Sequence, residues 1–154
     1  MADIPERGDF TKEGLLEFAR HFPFFNLIGL EVVDLEPGWS KTRLAFRPDL
    51  TQPAGVMHGG VIASLVDTGV AHALLLTDVF QEVAQNGGGI VSVDLRIRYL
   101  RPVSSGQITC ETTVPRLGRR IIHSNSVVVN DDGKEVALGD SIYMSVAPRD
   151  LTAR

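Results

Sequence analysis

Apolar positions along the chain follow two patterns. From 59 to 77, Ala63, Leu65, Val66, Val70, Ala71, Ala73, Leu74 and Leu75 leave almost no polar face, which predicts a central helix that the rest of the fold must wrap. From 90 to 100, Val91, Val93, Leu95, Ile97 and Tyr99 alternate with Ser92, Asp94, Arg96 and Arg98, the period of a long, half-buried strand. Further strand-like runs cover 28–35 and 40–47, joined at Glu36-Pro37-Gly38, and then 107–114, 121–130 and 135–146. Gly118 and the run Asn130-Asp131-Asp132-Gly133 supply the turns between the last three. A short helix over 11–20 is opened by Thr11 as N-cap, and His21-Phe22-Pro23-Phe24-Phe25 breaks it and plugs one end of the core. The polar stretch 78–89, ending in three glycines, reads as a flexible loop or a short extra turn. An antiparallel sheet of about six strands around one central helix, an α+β fold, satisfies both the apolar helix and the one-sided strands.

Composition narrows the class. With 154 residues, 44% hydrophobic and 22% charged, residues 1–154 are expected to form one domain. The net charge of −4 and the lack of a basic arm argue against a nucleic-acid partner. Cys110 is the only cysteine, which excludes an internal disulfide and a cysteine-based metal site. Four scattered histidines without ligand spacing point away from any metal. The start of the chain lacks a basic and then apolar leader pattern, and no run approaches the ~18 apolar residues that span a bilayer. The expectation is a cytoplasmic protein without membrane contact.

Chemistry concentrates between Gln52 and Asp67. The glycines of His58-Gly59-Gly60 open the central helix, where unpaired N–H groups and the helix dipole favour an oxyanion; equally, they serve a tight turn or close packing. Asp67 is a carboxylate on an apolar helix, suited to act as general base or nucleophile, or to bond a neighbouring strand's backbone. His72, about 140° around the axis from Asp67, forms no dyad with it and reads as a core or interface histidine. Gly59 and Asp67 are eight residues apart, roughly 12 Å along one axis, so a single carbonyl cannot touch both. If both act in one site, two copies of the helix must supply them, packed antiparallel about a twofold axis.

His58-Gly59-Gly60, Asp67, Val91-Ser92-Val93-Asp94-Leu95, Tyr99-Leu100-Arg101-Pro102 and Gly118-Arg119-Arg120, taken in order, resemble the hotdog-fold acyl-CoA thioesterases of the phenylacetic-acid-degradation type. They are also similar to one branch of the 4-hydroxybenzoyl-CoA thioesterases. The resemblance covers about 27–146 and implies dimers that pair into tetramers, an acyl-CoA substrate, and no cofactor beyond the CoA of that substrate. It implies Asp67 as base or nucleophile, the Gly59 N–H as oxyanion donor and His58 as support of the turn. Gln52 falls where the family has Asn or Gln, an amide able to orient water or the thioester. Ser92 matches an assisting polar residue, although its alternation places it with Asp94 and Arg96. Gly60 is taken as a substrate contact, and Arg101, Arg119 and Arg120 as contacts to the CoA phosphates. The stretch 78–89 is longer than the family pattern, which leaves acyl specificity open. Two other functions compete: a non-catalytic acyl-CoA or aromatic-ligand binding module, and a hotdog dehydratase, whose catalytic His motif is absent from the start of the central helix.

Overall fold

Six strands make one antiparallel sheet: β1 (Leu30–Glu36), β2 (Trp39–Ala45), β3 (Gly89–Tyr99), β4 (Gln107–Leu117), β5 (Ile121–Asn130) and β6 (Glu135–Val146). Their spatial order is β1-β2-β4-β5-β6-β3, so β1 and β3 are the edges. These positions come from a computed structural model that describes residues 10–148; residues 1–9 and 149–154 of the expected 1–154 unit lie outside the described residues. The helices are α1 (Lys12–Arg20), α2 (Pro23–Ile28), α3 (Gly59–Leu75) and α4 (Asp78–Gln85). The inner face of the sheet curls around α3, which packs mainly on β2 and β4. This is the hotdog arrangement.

Leu44, Leu65, Val66, Ile108, Val128 and Val136 are fully buried where helix meets sheet. A second cluster joins Val70 and Leu74 of α3 to Ile122 and Tyr143. The seam is not purely apolar. Ser40 donates to the Gly69 carbonyl at 2.6 Å and Thr42 to the Leu65 carbonyl at 3.3 Å, while Thr112 and Ser126 pair at 2.7 Å beneath them. Each of these four hydroxyls thus has a partner, which removes the cost of leaving it dry and unpaired. At Gly69 a Cβ would stand 2.7 Å from the Thr112 hydroxyl, so helix and sheet approach this closely only over a glycine.

The first helix starts as expected, with the Thr11 hydroxyl accepting from the Gly14 N–H at 3.1 Å. Four expectations change. The aromatic segment Pro23–Ile28 is a helix, α2, closed by Gly29, so the first strand starts at Leu30 and not at 28. The central helix ends at Leu75, two residues early, because Thr77 caps another helix by accepting from the Phe80 N–H. The stretch read as a loop or extra turn is α4, eight residues long, which buries Phe80 and Ala84. The strict alternation of β3 is broken: Val93 is unpaired in a register shift between Ser92 and Asp94. A bulge of this kind reverses which residues face inward. Ile90 packs on the second cluster before it, and Leu95 and Ile97 pack on the core after it, while Val93 is 57% exposed. Among the described residues no single helix is long and apolar enough to cross a membrane.

Candidate active site

Two stations on α3 carry polar chemistry. At its tip His58 is the N-cap, and its Nδ1 accepts from the Gly60 N–H at 2.9 Å while its own N–H donates to the Leu50 carbonyl at 2.8 Å. The Gly60 N–H is therefore committed to the turn, and the substrate contact expected of Gly60 is not available through it. Among the described residues nothing accepts the Gly59 N–H. The Gly59 carbonyl accepts from the Tyr99 hydroxyl at 2.9 Å, and a Cβ on Gly59 would lie 3.0 Å from that phenol. Any side chain at Gly59 would have to push the ring aside. A cavity of about 370 Å³ opens beside the tip, walled by Gln52, Met57, Gly59, Tyr99 and Arg101. Gln52 accepts from the Ala54 N–H at 2.9 Å through its side-chain oxygen, which fixes the carboxamide at the turn.

The second station lies eight residues on. Asp67 is half-buried, and its Oδ1 accepts from the Tyr143 hydroxyl at 2.5 Å. The same hydroxyl is 2.9 Å from the Asp67 carbonyl oxygen, so one phenol fixes both backbone and side chain. Burial, and then the adjacent Asp67 carboxylate, push the Tyr143 hydroxyl well above its ordinary pKa of 10.0, keeping it a donor. The Ser92 side chain makes a weaker polar contact with the same oxygen. The bulge at Val93 explains this position: Ser92 joins Tyr143 instead of sharing the outer face of Asp94 and Arg96, which pair with each other at 2.8 Å. Among the described residues Asp67 Oδ2 has no hydrogen-bond partner.

Asp67 does not stand on a wholly wrapped helix. Gly60, Ser64, Asp67, Ala71 and Leu75 form a stripe along α3 that the sheet leaves incompletely covered. Within one chain the residues expected in the site remain apart: Gln52, His58, Gly59 and Arg101 gather at the tip, Asp67 and Ser92 in the middle. Arg101 lies two residues past the end of β3, and its guanidinium donates to the Glu135 carbonyl. Arg119 lines a different cavity of about 280 Å³ with Gly88 and Ser145, and the Arg120 carbonyl accepts from the Ser145 N–H at 3.0 Å, near the other end of β3. An eleven-residue strand separates the two arginine groups by roughly 35 Å. Among the described residues no group of three His, Cys, Asp or Glu side chains could hold a metal.

The sequence assigned neither tyrosine a site role: Tyr143 stood only in the last strand, and Tyr99 only in its strand and in the family motif. The signal available was small: these are the only two tyrosines of the chain, and each has an inward neighbour at strand spacing.

Comparison with known proteins adds the family. The model of the thioesterase superfamily matches residues 54–137, more than half of the chain. The medium/long-chain acyl-CoA thioesterase YigI of Salmonella typhimurium is 26% identical over 139 residues, covering 82% of this chain and 88% of that relative. A crystal structure of a thioesterase from Haemophilus influenzae superposes with a TM-score of 0.75 at 25% identity, covering 92% of this chain and 94% of that one. The PaaI protein from the phenylacetic acid degradation operon of Escherichia coli shares the fold, with a TM-score of 0.74 at 20% identity over 88% of this chain and 92% of that one. With both tip and carboxylate on the central helix of this fold, the chain belongs to the thioesterase superfamily and is a hotdog-fold thioester hydrolase.

Proposed function

We propose that the chain hydrolyses an acyl-CoA at two equivalent sites of a homodimer, each combining Asp67 of one subunit with the α3 tip of the other. One observation carries this reading. The Gly59 N–H and Asp67 Oδ2, a donor and an acceptor without partners among the described residues, lie about 12 Å apart on one helix. Packing two α3 stripes antiparallel about a twofold axis near Ala63 sets each donor beside the other subunit's carboxylate. Edge strand β3, eleven residues long with Val93 and Tyr99 exposed, supports the same assembly, since a long unpaired edge invites pairing. Antiparallel β3 strands would also bring Arg101 of one subunit near Arg119 and Arg120 of the other, which resolves their separation within one chain and supplies charge for the CoA phosphates.

In this site Asp67 Oδ2 takes a proton from water as the water oxygen attacks the thioester carbonyl. The Gly59 N–H, reinforced by the helix dipole, stabilises the resulting oxyanion. Collapse breaks the C–S bond, and the proton held by Asp67 passes to the departing CoA thiolate. The Gln52 carboxamide, held by the Ala54 N–H, presents its NH2 group to thioester or water. His58 acts through the turn by fixing Gly60. The Tyr143 hydroxyl holds the carboxylate in place, with Ser92 beside that hydroxyl. The chemistry needs no cofactor. The acyl-CoA activity named for YigI supports the substrate class.

Thiol release from a panel of acyl-CoAs tests the activity, and silence on every member rejects it. Asp67→Asn should lower turnover by about 10²- to 10⁴-fold. Co-expression of Asp67→Asn with Gly59→Val tests the shared site. Mixed dimers keep one intact site, so a statistical mixture of two inactive chains should recover about a quarter of wild-type activity. No recovery in isolated mixed dimers overturns the two-subunit site. A single turnover in oxygen-18 water assigns the role of Asp67: label in the released acid fits a base, and label in the Asp67 carboxylate makes it the nucleophile.

A further inference from the structure

A cavity of about 410 Å³ lies outside both stations, enclosed by α1, α2, α4 and the last turn of α3. We infer that it receives the distal end of an aliphatic acyl chain whose thioester sits at Asp67, and so makes the enzyme selective for chains of about ten carbons or more. The inference rests on the Asp67 site proposed above.

The walls define the chemistry of the occupant. Phe18, Phe22, Phe25, Leu75 and Phe80 are hydrocarbon, and among the described residues His72 is the only titratable side chain in the lining. His72 is 6% exposed and its Nδ1 is bonded to the Thr68 carbonyl at 2.8 Å. Burial lowers its pKa from the ordinary 6.5, so the ring is neutral and no charge opposes an alkyl group. A pocket of this size with so few polar groups suits the apolar part of a ligand.

Position defines which part. Leu75 both lines the cavity and ends the open stripe that carries Asp67, with the small Ala71 between them. Eight residues separate Asp67 from Leu75, about 12 Å along the helix. In the opposite direction the stripe runs to the twofold axis near Ala63 and then to the second site, where two chains would collide. The C-terminal direction leads to apolar volume that neither station uses. At about 1.3 Å of advance per methylene, an extended chain needs roughly nine carbons to reach Leu75. At about 30 Å³ per methylene, close to the volume of a water, the cavity has room for several more. Its outer wall is α4, whose inward Phe80 and Ala84 close the space.

The experiment is kcat/KM by thiol release for saturated acyl-CoAs of four to sixteen carbons, with wild type, Ala84→Phe to fill the cavity and Leu75→Phe to narrow its mouth. Wild type should show little gain up to about eight carbons, then roughly fourfold per added methylene until the cavity is full. Either variant should lose at least tenfold on dodecanoyl-CoA and stay within twofold of wild type on hexanoyl-CoA. Equal losses on both chains, or wild-type activity on dodecanoyl-CoA in both variants, would overturn the inference while leaving the hydrolase intact. A wild-type enzyme silent on every chain overturns the site reading itself.

Discussion

At Gly59 a tyrosine hydroxyl meets an α3 carbonyl at 2.9 Å, and at Asp67 another tyrosine does the same at the same distance, yet the two surroundings differ. Tyr99 is 53% exposed on an edge strand, and water can replace its bond. Tyr143 is 4% exposed on an interior strand, and its hydroxyl also holds the Asp67 carboxylate. The same contact is therefore cheap to lose at the helix tip and costly in its middle. In the proposed site the tip would yield as a thioester arrives, whereas the carboxylate is held in advance, the division expected if Asp67 is a pre-positioned base.

That contrast can be broken experimentally. Tyr143→Phe leaves a partly buried carboxylate with one fewer donor; it should cost about 1.5–3 kcal/mol in urea unfolding and lower kcat more than it raises KM. A purely structural tyrosine would lower stability and leave kcat per folded enzyme unchanged. Gly59→Ala should come next, because its Cβ meets Tyr99 at 3.0 Å and displaces the ring. Adding Tyr99→Ala should restore part of the lost activity, a non-additivity that independent sites would not show. Tyr99→Phe alone should cost about 0.5–1 kcal/mol, the smallest stability change of the three. The same variant leaves Tyr143 as the only tyrosine, which permits a clean alkaline titration. Because the folded pKa of Tyr143 is raised, its stabilising contribution is complete below the ordinary 10.0 and is lost as pH rises above it. Phenolate absorbance should therefore appear only with alkaline unfolding, and its appearance in the folded protein near pH 10 would contradict the buried donor.

How far such features could be read from the chain depended on how local their causes were. β5 and β6 begin and end where alternation and turn residues place them, at 121–130 and 135–146, because each run is bounded by its own punctuation. The helix α4 was hidden by its setting: Phe80, Val83 and Ala84 have helical spacing behind a Thr77 cap, but polar residues and three glycines follow. The bulge at Val93 is a property of pairing with β6, and no residue within β3 announces it, so Ser92 was assigned to the wrong face. The tip residues were legible as a set because they are contiguous. Tyr143 was not, since its partner Asp67 is 76 residues away.

The hydroxyls beneath α3 give the helix a property that an all-hydrocarbon seam would lack. Greasy contacts tolerate sliding, whereas Ser40 on the Gly69 carbonyl and Thr42 on the Leu65 carbonyl act as rivets at fixed heights. Slippage by one residue would shift Asp67 by about 1.5 Å and swing it about 100° around the axis, away from Tyr143. The sheet thereby sets the axial address of the carboxylate, and any partner helix docking on the open stripe meets it at the same level every time.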